Sequence, residues 1–349
     1  MMKQTGFGII GTGMISEFHA QALAAIDNAR LVACYDISSE RADAFAQDWG
    51  CTAYSSMDGF LAHADLNVVI ICTPSGLHLE SGLAALDAGH HLVVEKPLEV
   101  TPERCDTLIR RAAERERALV GIFQARFSDG TRQVKAAVEA GRFGKLTLAS
   151  ASVKWYRSQE YYDQAAWRGT WKIDGGGTLM NQSIHAIDLL QWMVGDVSEA
   201  FAYTDTMAHT GIEVEDVAAA ALRFANGALG TIMCTTASWP GWAKRIEISG
   251  TGGSVVLEDD VIRKWDFREE QDGDEATQQA ATAGGDSAKG ASDPSAIGFK
   301  GHRRQLADFL QALESGGRPL VDGHEARKAV AIIAAIYRSA NSGKPEAVR

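Results

Sequence analysis

Along about the first 120 residues, short β-branched apolar runs alternate with longer stretches of helical periodicity. Phe7–Ile10, Leu31–Tyr35, Asn67–Cys72, His91–Val94 and Leu119–Phe123 predict buried strands. Between them, Ile15–Ile26, a segment opened by Ser38 or Ser39, Ser75–Ala88 (stopped at Gly89) and a segment led by Thr101-Pro102-Glu103 predict helices. Thr101 is the expected N-cap, with Pro102 at the first helical position. Alternation of this kind predicts a parallel α/β sheet.

The pattern then changes. Thr131–Ala140 is helical, Leu146–Trp155 is strand-like, and Leu179–Val194 is a helix stopped at Gly195. Strand-like runs follow near Ala200–Tyr203, Val217–Phe224, Ala228–Thr236, Arg245–Ser249 and Ser254–Leu257. Asn226-Gly227 is a hairpin turn between two of them. Successive strands with short links predict an α+β half with an open, mostly antiparallel sheet. Residues from about Glu269 to Ser295 are polar and low in complexity, and read as a mobile loop. Two helices, roughly Arg303–Glu314 and Glu325–Asn341, close the chain.

Length favours two domains: 349 residues are many for one core. A formal net charge of −11 argues against nucleic-acid or anionic-membrane partners. The five cysteines are scattered, with no Cys-x-x-Cys pair, so neither a disulfide framework nor a metal site is expected. Glycines interrupt the apolar N-terminus, which reads as neither signal peptide nor membrane span. A cytoplasmic protein is the plain expectation.

Gly11-Thr12-Gly13-Met14-Ile15-Ser16 joins the first strand to the first helix. This is the dinucleotide fingerprint, with Ser16 in the third glycine position. Gly11 permits the tight turn, and Gly13 lets backbone N–H groups approach a pyrophosphate at the helix N-terminus. Asp36 ends the second strand, where a carboxylate can accept from both ribose hydroxyls and repel a 2′-phosphate. NAD is therefore the expected cofactor, although the Arg41 guanidinium would let NADP in by offsetting that repulsion. Thr73 and Pro74 leave the next strand at the same sheet edge, and His78 stands early in the helix beyond, within reach of ribose or phosphate or simply part-exposed.

Glu95-Lys96-Pro97 follows the strand His91–Val94 and sets a lysine at the sheet edge where ligands bind. A bland alternative is a surface lysine at a strand exit. Further on, Asp174-Gly175-Gly176-Gly177 precedes the helix carrying Asn181, His185 and Asp188 at i, i+4 and i+7. Polar residues on a common face of an apolar helix suggest a lined cleft or, for each alone, a satisfied core group.

With these three motifs in order, the whole chain resembles the glucose–fructose oxidoreductase/inositol dehydrogenase/rhizopine-catabolism (Gfo/Idh/MocA) family. The resemblance implies an NAD(P)-binding Rossmann domain over residues 1–123 and an α+β substrate and oligomerisation domain over 124–300. The closing helices, 301–349, are then expected near the domain junction. Lys96 and His185 match the family's active-site lysine and histidine, and Glu95 a residue near the nicotinamide. Gln124, Trp167 and Arg168 match positions that often touch cofactor. Asn181 stands where many family members carry aspartate, and cannot raise the histidine's basicity as a carboxylate would.

The implied reaction is hydride transfer between nicotinamide C4 and a carbinol or carbonyl carbon. His185 is the preferred acid/base, Lys96 stabilises charge on the reacting oxygen or carries the proton itself, and Asn181 orients substrate. The segment rich in aromatics and arginines, with Tyr156, Arg157, Tyr161 and Trp171, suits a sugar, polyol or nucleotide sugar, or else packs an interface. Arg126 and His302 are further candidates for the substrate site. Two other readings stay open: an NAD-dependent glycoside hydrolase, and a non-catalytic NAD(P)/sugar sensor. A homodimer or homotetramer is the expected assembly.

Overall fold

Runs such as Val68–Ile71, with every side chain buried, can be covered only by helices on both faces of a sheet. The computed structural model describes residues 4–283 and 298–349, which divide into two units. The first comprises residues up to Gln124 together with Gly298–Arg327. Its strands are β1 (Thr5–Ile10), β2 (Ala29–Tyr35), β3 (Thr52–Tyr54), β4 (Val68–Ile71), β5 (His91–Val94) and β6 (Leu119–Gly121). They form a parallel sheet in the order β3-β2-β1-β4-β5-β6. That is the doubly wound Rossmann order, in which the chain reverses direction beside β1 and opens a crevice at the strands' carboxyl ends.

The linking helices are α1 (Met14–Ala24), α2 (Ser39–Trp49), α3 (Met57–Leu61), α4 (His78–Asp87) and α5 (Pro102–Glu114). Capping follows the sequence: Ser38 accepts from Arg41 N–H at the head of α2, and Thr101 from Arg104 N–H at the head of α5. The short β3 and α3 carry too few apolar positions to stand out in the sequence.

The second unit, Ala125–Ile297 with Lys328–Arg349, opens with α6 (Asp129–Glu139), β7 (Leu146–Lys154) and α7 (Gln159–Asp163). A π-helical turn, Thr178–Ser183, runs into α8 (Ile184–Val194). Next come β8 (Val197–Asp205), β9 (Val217–Phe224), β10 (Leu229–Thr235), β11 (Arg245–Gly250), β12 (Gly253–Glu258), β13 (Val261–Phe267) and α9 (Asp274–Ala283). The sheet runs β13-β12-β11-β7-β10-β9-β8, and among the described residues its one parallel pairing is β7 with β10. Gly227, at φ +89°, makes the turn between β9 and β10.

The stretch read as a mobile loop is in part ordered. Asp274 binds Arg142 and Trp265 Nε1, and that anchor starts α9 against β13. The rest of that stretch lies outside the described residues. Of the closing helices, α10 (Lys300–Ser315) belongs to the first unit and packs on α1 through Leu306, Phe309 and Leu310. Its Gln305 accepts from Phe123 N–H and donates to Gly121 O, closing the free edge of β6. The last helix, α11 (Gly323–Ser342), begins in the first unit, continues in the second and leads to β14 (Glu346–Ala347) beside β8. Among the described residues, no helix is long and apolar enough to cross a membrane.

Candidate active site

In the first unit the β1–α1 turn is built around Gly11, whose φ of +88° suits glycine. A Cβ there would come within 3.0 Å of the Cys72 and Thr73 backbone, so the β1 and β4 exits lie against each other. At Gly13 a Cβ would meet nothing within 4 Å. The fingerprint therefore leaves open space at the head of α1, where the N–H groups favour an anion. Beside it, Thr73 Oγ1 is buried with no hydrogen-bond partner, as is Oε1 of Gln124.

Asp36 is held from several sides. Oδ2 accepts from Thr12 N–H (2.9 Å) and Thr12 Oγ1 (3.1 Å), and Oδ1 from Ser38 N–H (2.8 Å) and Arg41 Nη2 (2.6 Å). Burial pushes this carboxyl up, but the Arg41, Ser38 and Thr12 hydrogen bonds outweigh it and hold it below its ordinary value. Ile37, next in the chain, is 90% exposed. Its signal in the sequence is a lone apolar residue directly after the acid that follows β2. With Met14 and Leu77, also exposed, it offers apolar contact at the same sheet edge.

Glu95 closes β5 as a buried carboxylate. One oxygen meets His19 Nε2 at 2.7 Å, with His302 Nε2 3.5 Å away, and the other accepts from Lys96 N–H at 3.1 Å. Burial pushes Glu95 up, yet the two imidazoles more than offset this and keep it well below the usual range. Burial holds His19 down against the pull of Glu95, so a neutral ring donating Nε2–H to an ionised carboxylate describes the pair. Lys96 is half-buried at the strand end. The loop after it is fixed by Glu99, which accepts from Arg104, Leu79 N–H and Val100 N–H.

In the second unit, Asn181 and Gln182 lie on the π-helical turn and His185 in the first turn of α8. From Ser183 to Gln191 every residue is buried except His185, which is half-exposed. Asn181 Nδ2 donates to Asp174 Oδ1, whose other oxygen accepts from Gly169 N–H. Gln182 donates to Asn181 Oδ1 and to the Tyr161 hydroxyl, and accepts from Arg157 Nη2. Arg168 lies over the Tyr161 ring at 4.2 Å and donates to Tyr161 O. Trp167 is half-buried beside it, and Tyr156 packs edge-on to Trp239.

Residues 5–122 match the family described as an oxidoreductase family with an NAD-binding Rossmann fold, and residues 131–256 match the GFO/IDH/MocA C-terminal domain. The chain belongs to the Gfo/Idh/MocA oxidoreductase family. The WlbA dehydrogenase of Bordetella pertussis, solved in complex with NADH and UDP-GlcNAcA, is 34% identical over 99% of this chain and 98% of its own, with a TM-score of 0.90. WlbA from Chromobacterium violaceum, solved with the same two ligands, is 31% identical over 99% of this chain and 96% of its own (TM-score 0.89). Inositol 2-dehydrogenase of Rhizobium meliloti is 27% identical over 256 residues, 72% of this chain and 75% of that protein. The protein is thus an oxidoreductase with an NAD-binding Rossmann domain.

Three expected site residues are placed otherwise. His78 is buried, and both ring nitrogens lie 2.9 Å from carbonyl oxygens, those of Pro97 and Thr73. It ties two loops together and presents neither nitrogen to a ribose or phosphate. Arg126 is fully buried and takes both oxygens of Asp188, under the Trp192 ring. His302 is fully buried against Phe18 and His19. With no exposed surface, neither lines an open wall. Asp188, expected on a face with Asn181 and His185, points into the core. The π-helical turn, with more than four residues per repeat, moves Asn181 out of i, i+4 register with His185, while Asp188 is taken by Arg126.

Proposed function

We propose that the protein oxidises a nucleotide-linked acidic amino sugar, of the class of UDP-GlcNAcA, at a ring carbinol. The observation that carries this reading is the continuous network of the second unit. A guanidinium stacked on Tyr161 connects through that hydroxyl and Gln182 to Asn181, on the turn that leads to His185. Arginine suits the phosphate and carboxylate oxygens of such a substrate, and aromatic faces suit the sugar and base. Likeness to the two WlbA enzymes over nearly the whole chain supports it.

The open space at Gly13, the unpartnered Thr73 Oγ1 and the pre-ordered Asp36 fit pyrophosphate, nicotinamide-side and ribose groups of NAD. When bound, NAD supplies the hydride acceptor at nicotinamide C4. In this reading His185 takes the proton from the substrate hydroxyl, and Lys96 hydrogen-bonds the same oxygen and stabilises its negative charge. Asp174 fixes Asn181, which orients the sugar, and so brings a carboxylate one hydrogen bond behind the neutral amide. Five free cysteines agree with a reducing, cytoplasmic setting.

The test is NADH absorbance on mixing the protein and NAD with UDP-GlcNAcA, UDP-GlcNAc, inositols and free sugars. Turnover is expected with the nucleotide-linked acid, and His185→Ala is expected to lose about 10²–10⁴-fold in kcat. Turnover of inositol alone would refute the substrate class. Release of nitrophenol from nitrophenyl glycosides with no net NADH would instead establish the hydrolase.

A further inference from the structure

The glycine run and the turn after it do not support themselves. The first N–H groups of a helical segment have no partner within it. Here one buried side chain supplies partners. Glu215, just before β9, accepts from Gly177 N–H at 3.1 Å through Oε2 and from Leu179 N–H at 2.9 Å through Oε1. Its own carbonyl accepts from Thr178 N–H at 3.0 Å. Tyr337, from α11 in the same unit, donates its hydroxyl to Oε1 at 2.9 Å. The glycines are needed for this fit: a Cβ at Gly177 would fall 1.8 Å from Glu215 O, and one at Gly176 would fall 2.2 Å from the Tyr337 hydroxyl. The run approaches Glu215 and Tyr337.

We propose that Glu215 and Tyr337 are positioning residues that template the turn bearing Asn181, Gln182 and His185, and that the turn holds its working shape only while Glu215 is ionised. The inference rests on the roles proposed above for Asn181 and His185. A carboxylate accepts at both oxygens, whereas a protonated carboxyl must direct its own O–H somewhere. A proton on Oε2 turns a donor toward Gly177 N–H and breaks that bond. The titratable groups facing Glu215 are Tyr337 from α11 and Cys234 from β10, and burial pushes both up, Cys234 to about 12, so both stay neutral. Neighbouring Asp216 is turned away, bound to the Met207, Ala208 and His209 N–H groups and the His209 ring. Glu215 is therefore the member of this cluster that changes charge near neutrality: burial raises it to about 7 against the hydrogen bonds it accepts.

Two measurements on the full chain test the device. Amide hydrogen exchange over residues 175–185, corrected for intrinsic rates, is expected to be several-fold faster at about pH 6 than at about pH 8 in the wild type. In Glu215→Gln that pH step should vanish and exchange should be fast throughout. Tyr337→Phe, which keeps the ring's volume, should raise exchange in the same segment. With a turned-over substrate, Glu215→Gln should lower kcat most above about pH 7, where wild-type Glu215 is ionised, and the rising limb that remains is that of His185 acting as base. Tyr337→Phe should lower kcat about tenfold, with KM for NAD unchanged. Wild-type exchange in both variants, with no pH step, would overturn the proposal. If no sugar is turned over, the functional reading fails, while the exchange data still decide the positioning role.

Discussion

At the scale of single residues, the proposed preference for NAD rests on how Asp36 is held. Its four hydrogen bonds hold a carboxylate at the β2 exit before any ligand arrives. Arg41 is more than half exposed, and its guanidinium is kept on Asp36. Removing the acid should therefore act twice: it deletes the acceptor for ribose and frees a cation for a 2′-phosphate. Asp36→Ala is expected to lower kcat/KM for NAD by roughly tenfold to a hundredfold, the worth of hydrogen bonds to a charged group. For NADP, kcat/KM should hold or rise. Steady-state kinetics with both cofactors check this, and an equal loss with each would mean that Asp36 serves only to brace Thr12 and Ser38.

At the scale of elements, α8 shows both what the sequence makes legible and what it hides. Its apolar periodicity and the stop at Gly195 are plain in the chain, and so are the strands of the first unit, because β-branched runs bounded by glycine have few other homes. The π-helical start is not legible, because it depends on Glu215 and Tyr337, which lie about 35 and 157 residues beyond it in sequence. For the same reason Arg126 and His302 read as cleft residues: local pattern says that a charged or polar group must be paired, but not with which partner. The Arg126–Asp188 pair joins the segment before α6 to α8, with both side chains almost fully buried. Breaking a buried pair leaves one charge unsolvated, so Asp188→Asn or Arg126→Met alone should cost about 3–5 kcal/mol in denaturant unfolding. The double change Arg126→Met with Asp188→Leu should recover most of that loss. Equal destabilisation by single and double variants would mean that the guanidinium is needed chiefly under Trp192.

At the scale of the whole molecule, one face of the second unit's sheet is exposed among the described residues. Side chains alternate along β7–β10, and one set faces α8 and the core while the other faces outward. Leu229 pairs with Leu148, Met233 with Ala219, and Ala219 in turn with Tyr203, so apolar side chains lie side by side on this face, with Arg223 next to Leu229 at its border. Leu148, Leu229, Met233 and Tyr203 are all more than 40% exposed. Ala221, Thr231 and Ser150 pair across the strands between them. An apolar sheet face of this kind is costly to leave in water, and another copy of the same face complements it by symmetry. The protein is therefore expected to form a homodimer or homotetramer through this sheet, as light scattering at micromolar concentration would show. Met233→Asp with Leu229→Lys places charges on this face and should yield a monomer. Both side chains point away from the core and from the Asn181–His185 turn, so the fold should survive the change. A wild-type monomer, or a double variant with unchanged mass, would mean that copies do not meet on this face.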